Sequence, residues 1–171
     1  MKKVWIMTTA LAVALVGFGS YKYLYKPDRV VVMDAEQAFD VTNKELLVGW
    51  ADDVFVGTVE VKEKESKDDV SPYTVYKVKV EEAIKGSLKG SVVISQRIGY
   101  DNDKKALFKF EGDDYLVANK KYLFISKYDA ETKTHRIVSV HGDILLDTAE
   151  KESKVKQEFK EAKKNEKNPF Q

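Results

Sequence analysis

From Val54 onward the hydrophobic positions recur with a period of two. Phe55, Val59 and Val61 alternate with Val56, Thr58 and Glu60, and Thr74, Tyr76, Val78 and Val80 alternate with Lys77, Lys79 and Glu81. Alternation of this kind sends successive side chains to opposite faces and predicts two half-buried antiparallel strands. Between them lies Lys62 to Asp69, charged at every position but Ser66, which predicts a solvated hairpin loop. Glu82 to Gly86 reads as one helical turn closed by glycine, and Gly90 precedes a strand through Val92, Val93 and Ile94. Further short strands are predicted at Leu107 to Phe110, Tyr122 to Ile125, Ile137 to Val140 and Ile144 to Leu146. Gly112-Asp113-Asp114 and Ala118-Asn119-Lys120 supply turns between them.

Helical spacing appears on either side of this β-rich stretch. Upstream, Ala35, Ala38 and Phe39 share one face, Leu46, Leu47 and Trp50 form a second apolar cluster, and Thr42 with Glu45 fits a capping box. Trp50 is expected to pack that helix on a sheet. Downstream, Glu150 to Lys164 predicts an exposed, weakly amphipathic helix carried by Val155 and Phe159, and Asn165 to Gln171 should fray. Five or six short strands with one short helix suit a small closed or nearly closed barrel, so the chain is read as mainly β.

The N-terminus has a different pattern. Lys2 and Lys3 precede an uncharged run from Val4 to Tyr21. At about 1.5 Å per residue its roughly 18 residues reach about 27 Å, near the thickness of a bilayer core, while its basic start and short apolar stretch also fit a signal peptide. Trp5, Tyr21, Tyr23 and Tyr25 sit where interfacial aromatics anchor a retained helix. Gly17 and Gly19 are small enough for a cleavage site. The expected organisation is a signal peptide or membrane anchor over 1–26, a linker and helical lead-in over 27–42, a barrel domain over 43–148, and a charged helical, partly disordered tail over 149–171. The basic start orients the bulk of the chain outside the cytoplasm, either anchored or secreted.

Composition narrows the chemistry. The chain has no cysteine, which removes disulfides, zinc-cysteine sites and thiol catalysis together. Its net charge of +1 offers no basic stripe for nucleic acid.

Three strings have a familiar order: Ala51-Asp52-Asp53-Val54-Phe55-Val56-Gly57-Thr58-Val59, Tyr73-Thr74-Val75-Tyr76 and Ala83-Ile84-Lys85-Gly86. With Asn119-Lys120-Lys121-Tyr122-Leu123-Phe124, they resemble a group of small exported bacterial domains. In that group a helix leads to an A-D-x-V-x-V-G-x-V strand, then a Y-T-V strand, an L-K-G turn and a G-K-x-Y-L-F strand; here Asn119 stands where glycine is common. The likeness spans roughly residues 43 to 146. It implies an oligonucleotide/oligosaccharide-binding-like (OB-like) antiparallel barrel, similar in architecture to the inhibitory domain of tissue inhibitors of metalloproteinases (TIMP-like). Those inhibitors chelate zinc through an N-terminal cysteine, so their mechanism does not carry over.

His135 and His141 are six positions apart, about 20 Å along one strand, too far to share a metal. Asp101, Asp103 and Asp113, with Asn102, Glu111 and Asp114, form two acidic loops that would suit calcium if they met, although EF-hand spacing is missing. No Gly-x-Ser-x-Gly elbow or other catalytic constellation is present in the sequence, and no cofactor is expected. Tyr73, Tyr100 and Tyr128 fall at strand ends or in loops, where a ring can contact a glycan, a peptide or a lipid head group. The expected function is non-catalytic binding of a protein or cell-envelope polymer, with the membrane engaged through the N-terminal helix. The alternative is a structural or assembly subunit that uses the leader helix and the charged tail.

Overall fold

The computed structural model describes residues 29–35, 37–68 and 70–171, so the leader lies outside the described residues. In chain order these residues form β1 (Arg29–Met33), α1 (Lys44–Trp50), β2 (Asp53–Lys67), β3 (Pro72–Lys85), β4 (Ser91–Gln96), β5 (Gly99–Asp101) and β6 (Ala106–Phe110). β7 (Lys121–Asp129), β8 (Thr134–Ile137), β9 (Asp143–Leu145) and α2 (Ala149–Lys164) follow. The protein is mainly β, and its principal sheet closes on itself. Strands run in the order β2-β3-β4-β8-β7, and β7 pairs back onto β2. β4 and β8 are parallel, while the other pairings of the ring are antiparallel.

The ring has two apolar compartments. Phe55, Val59, Tyr76, Val78, Ile94, Phe124 and Ile137 fill its interior, with the Phe55 and Phe124 rings 5.1 Å apart across the β2–β7 seam. Val54, Val56, Leu123 and Ile125 project from the opposite face of the same two strands and are covered by Leu47 and Val48 of α1 and Phe159 and Ala162 of α2. Simple alternation therefore fails at Val54-Phe55-Val56, where all three are buried. A strand enclosed on both faces needs apolar residues at successive positions. Gly57 follows at a register shift, and a Cβ there would lie 2.7 Å from Val78 Cγ1 and 2.9 Å from the Lys79 carbonyl, so a side chain would push β3 away.

Several sequence expectations are corrected. Lys62 to Lys67 is not loop but the outer half of β2, and the hairpin turns only between Lys67 and Pro72. Glu82 to Lys85 is strand, not helical turn, with Lys85 opposite Val54. The strand expected at Ile137 to Val140 ends at Ile137, and Val140 adopts φ +69°. Residues 29–33, read as linker, form β1, which pairs in parallel with β6. Together β1, β6 and β5 make a second, three-stranded sheet.

The helix start is also displaced by one residue. Asn43, not Thr42, caps α1, its side-chain oxygen accepting from Glu45 N at 3.0 Å and Leu46 N at 3.3 Å, while Thr42 Oγ1 bonds Asp40. Asn43→Ala is expected to cost about 1 kcal/mol of stability, measured by urea unfolding. α2 is present where a helix was expected, but it is docked rather than exposed, with Phe159 fully buried. Beyond it the chain lies on α1: Lys167 N donates to the Glu45 carbonyl, and the Lys167 carbonyl occupies the place where a Cβ on Gly49 would stand. Phe170 meets Phe39 edge to face at 5.9 Å.

Candidate ligand groove

Among the described residues β2 is paired on both sides as far as Thr58, which pairs with Lys121, and beyond it the strand continues to Lys67 with β3 as its ladder partner. The β5–β6 edge of the small sheet stands beside this outer half. Between them is a groove of about 700 Å³, walled on one side by Lys62 to Lys67 and on the other by Tyr100, the Asp101-Asn102-Asp103 turn, Leu107 and Tyr115.

Glu65 holds the two walls together. Its carboxylate accepts from the Tyr100 backbone N–H at 2.9 Å, from the Tyr115 hydroxyl at 2.9 Å and from Lys62 Nζ. Burial pushes this carboxyl up, but the Lys62, Tyr100 and Tyr115 donors outweigh it and hold it below its ordinary value. Lys62 Nζ also lies 3.9 Å from the Tyr115 ring centre, a cation–π contact that fixes the ring. Burial, with the Glu65 charge beside it, pushes the Tyr115 phenol up, so it remains a proton donor to Glu65. The groove thus carries two aromatic rings, one aliphatic side chain and a fixed carboxylate.

Of the tyrosines singled out in the sequence, only Tyr100 lines this groove. Tyr73 is half-buried on β3 opposite Ser66. Tyr128 is exposed at the far end of β7, its ring 5.2 Å from that of His135 and its N–H bonded to Asp52.

The acidic loops do not converge. Asp101 Oδ1 accepts from the N–H groups of Asp103 and Lys104, and Lys67 Nζ lies 2.9 Å from Asp101 Oδ2 and 3.6 Å from Asp103. The Lys67 contact first, then those turn amides, keeps the Asp101 carboxyl below its ordinary value. Asp113 is held elsewhere, its Oδ1 accepting from Val140 N at 2.8 Å. Among the described residues no group of three or more histidine and carboxylate side chains is placed to hold a metal ion.

Two titratable pairs were not visible in the sequence. His135 is half-buried with its Nδ1 3.0 Å from Asp53 Oδ2; burial pushes the Asp53 carboxyl up and His135 pulls it back in part. Asp143 on β9 is pushed up to about 8, by burial and then by the charge of Asp113. Asp113 is itself raised by burial, and its Oδ2 is buried without a hydrogen-bond donor.

A smaller cleft of about 280 Å³ lies against Phe39, Trp50, Arg97 and Arg136. Both arginines are engaged, Arg97 by Ser71 and Asp68 and Arg136 by Asp129, so they offer a ligand less than the groove does. In comparison with known proteins, no protein family and no curated protein matches the chain.

Proposed function

We propose that the protein is a non-catalytic binding module on an OB-like barrel, tethered outside the cytoplasm by its N-terminal leader, and that its ligand is a protein or cell-envelope polymer. The observation that carries this reading is the groove in which Glu65 ties the Tyr100 backbone to the Tyr115 hydroxyl. A ring immobilised before binding, as Tyr115 is by Glu65 and Lys62, loses little entropy when a ligand stacks on it, and the polar groups around it set the ligand's orientation.

The OB-like assignment is supported by the closed five-stranded ring and by the resemblance of the strand motifs to small exported TIMP-like domains. Tethering is supported by Lys2, Lys3 and the uncharged run from Val4 to Tyr21. Among the described residues, no helix is long and apolar enough to cross a membrane. The alternative of an assembly subunit has less support in its tail, because α2 places Phe159 and Ala162 in the fold's own core.

Tyr100→Ala and Tyr115→Ala are each expected to weaken binding of cell-wall glycan fragments or unstructured peptides at least tenfold, about 1.4 kcal/mol. Tyr128→Ala should leave affinity unchanged. Calorimetric titration measures all three, and equal losses at Tyr100 and Tyr128 would refute the groove as the site.

A further inference from the structure

The backbone along one wall of the groove is bare. Up to Val59 the outer edge of β2 is occupied, the last bonds being Val59 N to the Lys120 carbonyl and Asn119 N to the Val59 carbonyl. From Glu60 to Lys67 the strand pairs, among the described residues, with β3 alone.

Lys62 to Lys67 line the groove as six consecutive residues. Alternate side chains of a regular strand point to opposite faces; here the register shift between Lys62 and Lys64 interrupts that alternation, and the whole run borders one space beside the strand. The opposite wall includes β5, which pairs with β6 alone among the described residues, and the Tyr100 N–H on it is satisfied by a carboxylate rather than by a backbone carbonyl.

We infer that this groove takes an extended peptide, which adds as a strand to the outer edge of β2 between Glu60 and Lys67. This rests on the reading of the groove as the binding site and names the chemical class of its ligand. Strand addition draws affinity from main-chain hydrogen bonds and selectivity from pockets for alternate side chains, and here Tyr100, Leu107 and Tyr115 border the space such side chains would enter.

Eight residues at about 3.3 Å each span roughly 26 Å, enough for a peptide of about six to eight residues. The walls carry Glu63, Glu65, Asp101 and Asp103 against Lys62, Lys64 and Lys67, so a peptide bearing lysine or arginine is favoured over an acidic one. Lysines and bulges also protect edges from uncontrolled sheet pairing, and β2 has register shifts between Val59 and Val61 and between Lys62 and Lys64.

The test uses the full-length protein in detergent micelles and a library of capped octapeptides that alternate lysine with valine, threonine or tyrosine. Its counterparts are the same peptides N-methylated at alternate positions, and a chitin tetrasaccharide as a glycan probe. The expected result is peptide binding with at least tenfold slower amide exchange across Glu60 to Lys67, and at least tenfold weaker binding after N-methylation. If either probe shifts Tyr100 and Tyr115 signals with no added protection on Glu60 to Lys67, strand addition is overturned while the groove stands as a binding site. If neither probe perturbs any groove residue, both readings fall.

Discussion

Phe159→Ala is expected to destabilise the protein by about 3–5 kcal/mol, the usual cost of deleting a buried ring that its surroundings cannot refill. Phe159 is 1% exposed and belongs to the compartment formed by Val54, Val56, Leu123 and Ile125 with Leu47 and Val48. It lies on the outer wall of the barrel, so the loss would bare the apolar back of the β2–β7 seam as well as free one helix. Domains of this size are commonly stable by only about 5–15 kcal/mol, so the variant should unfold at markedly lower urea. Val155→Ala, on the same helix but only partly buried, should cost much less. Similar small losses for both would mean that α2 is an appendage and the barrel stands without it.

The second large effect is a fall in stability between about pH 4 and pH 8 that Asp143 accounts for. In the folded protein Asp143 holds its proton to about pH 8, whereas an unfolded aspartate releases it near pH 4. Between those values the folded state binds more protons than the unfolded state, so this contribution is complete below about pH 4 and is lost as pH rises toward 8. The slope is at most about 1.4 kcal/mol per pH unit. Asp113, raised for the same reason of burial, acts in the same direction. Asp143→Asn keeps the shape and never ionises, so it should match the parent protein near pH 4 and exceed its stability above pH 8. Parallel pH profiles for the two proteins would show that Asp143 ionises without penalty in the fold.

The barrel was legible because burying one face of a strand writes an alternating pattern, as at Thr74 to Glu81. The outer half of β2 was not legible, because Lys62 to Lys67 carries no apolar alternation and lies largely in solvent. Charge at successive positions looks the same whether the chain is loop or projecting strand. β1 was missed for a different reason: its partner is β6, with Arg29 opposite Ala106, and short-range pattern says nothing of a parallel pairing at that separation.

The same separation limits the reading of the groove. Tyr100 was visible as a ring at a strand end, but the Glu65 and Tyr115 that complete the groove with it are hydrogen-bonded across 50 residues of chain. Glu65 sat in a run whose simplest reading was solvated charge. Asp101 and Asp103 looked like calcium ligands because their sequence neighbourhood is acidic; the cation beside them is Lys67, contributed by β2.

The most direct test of the account is a map of amide and tyrosine ring shifts in the full-length protein during titration with a cell-wall glycan fragment and with an unstructured basic peptide. Saturating shifts from at least one of them should gather on Lys62 to Lys67, Tyr100 and Tyr115. Shifts that gather instead on Phe39, Trp50, Arg97 and Arg136 would place the binding site in the smaller cleft and contradict it.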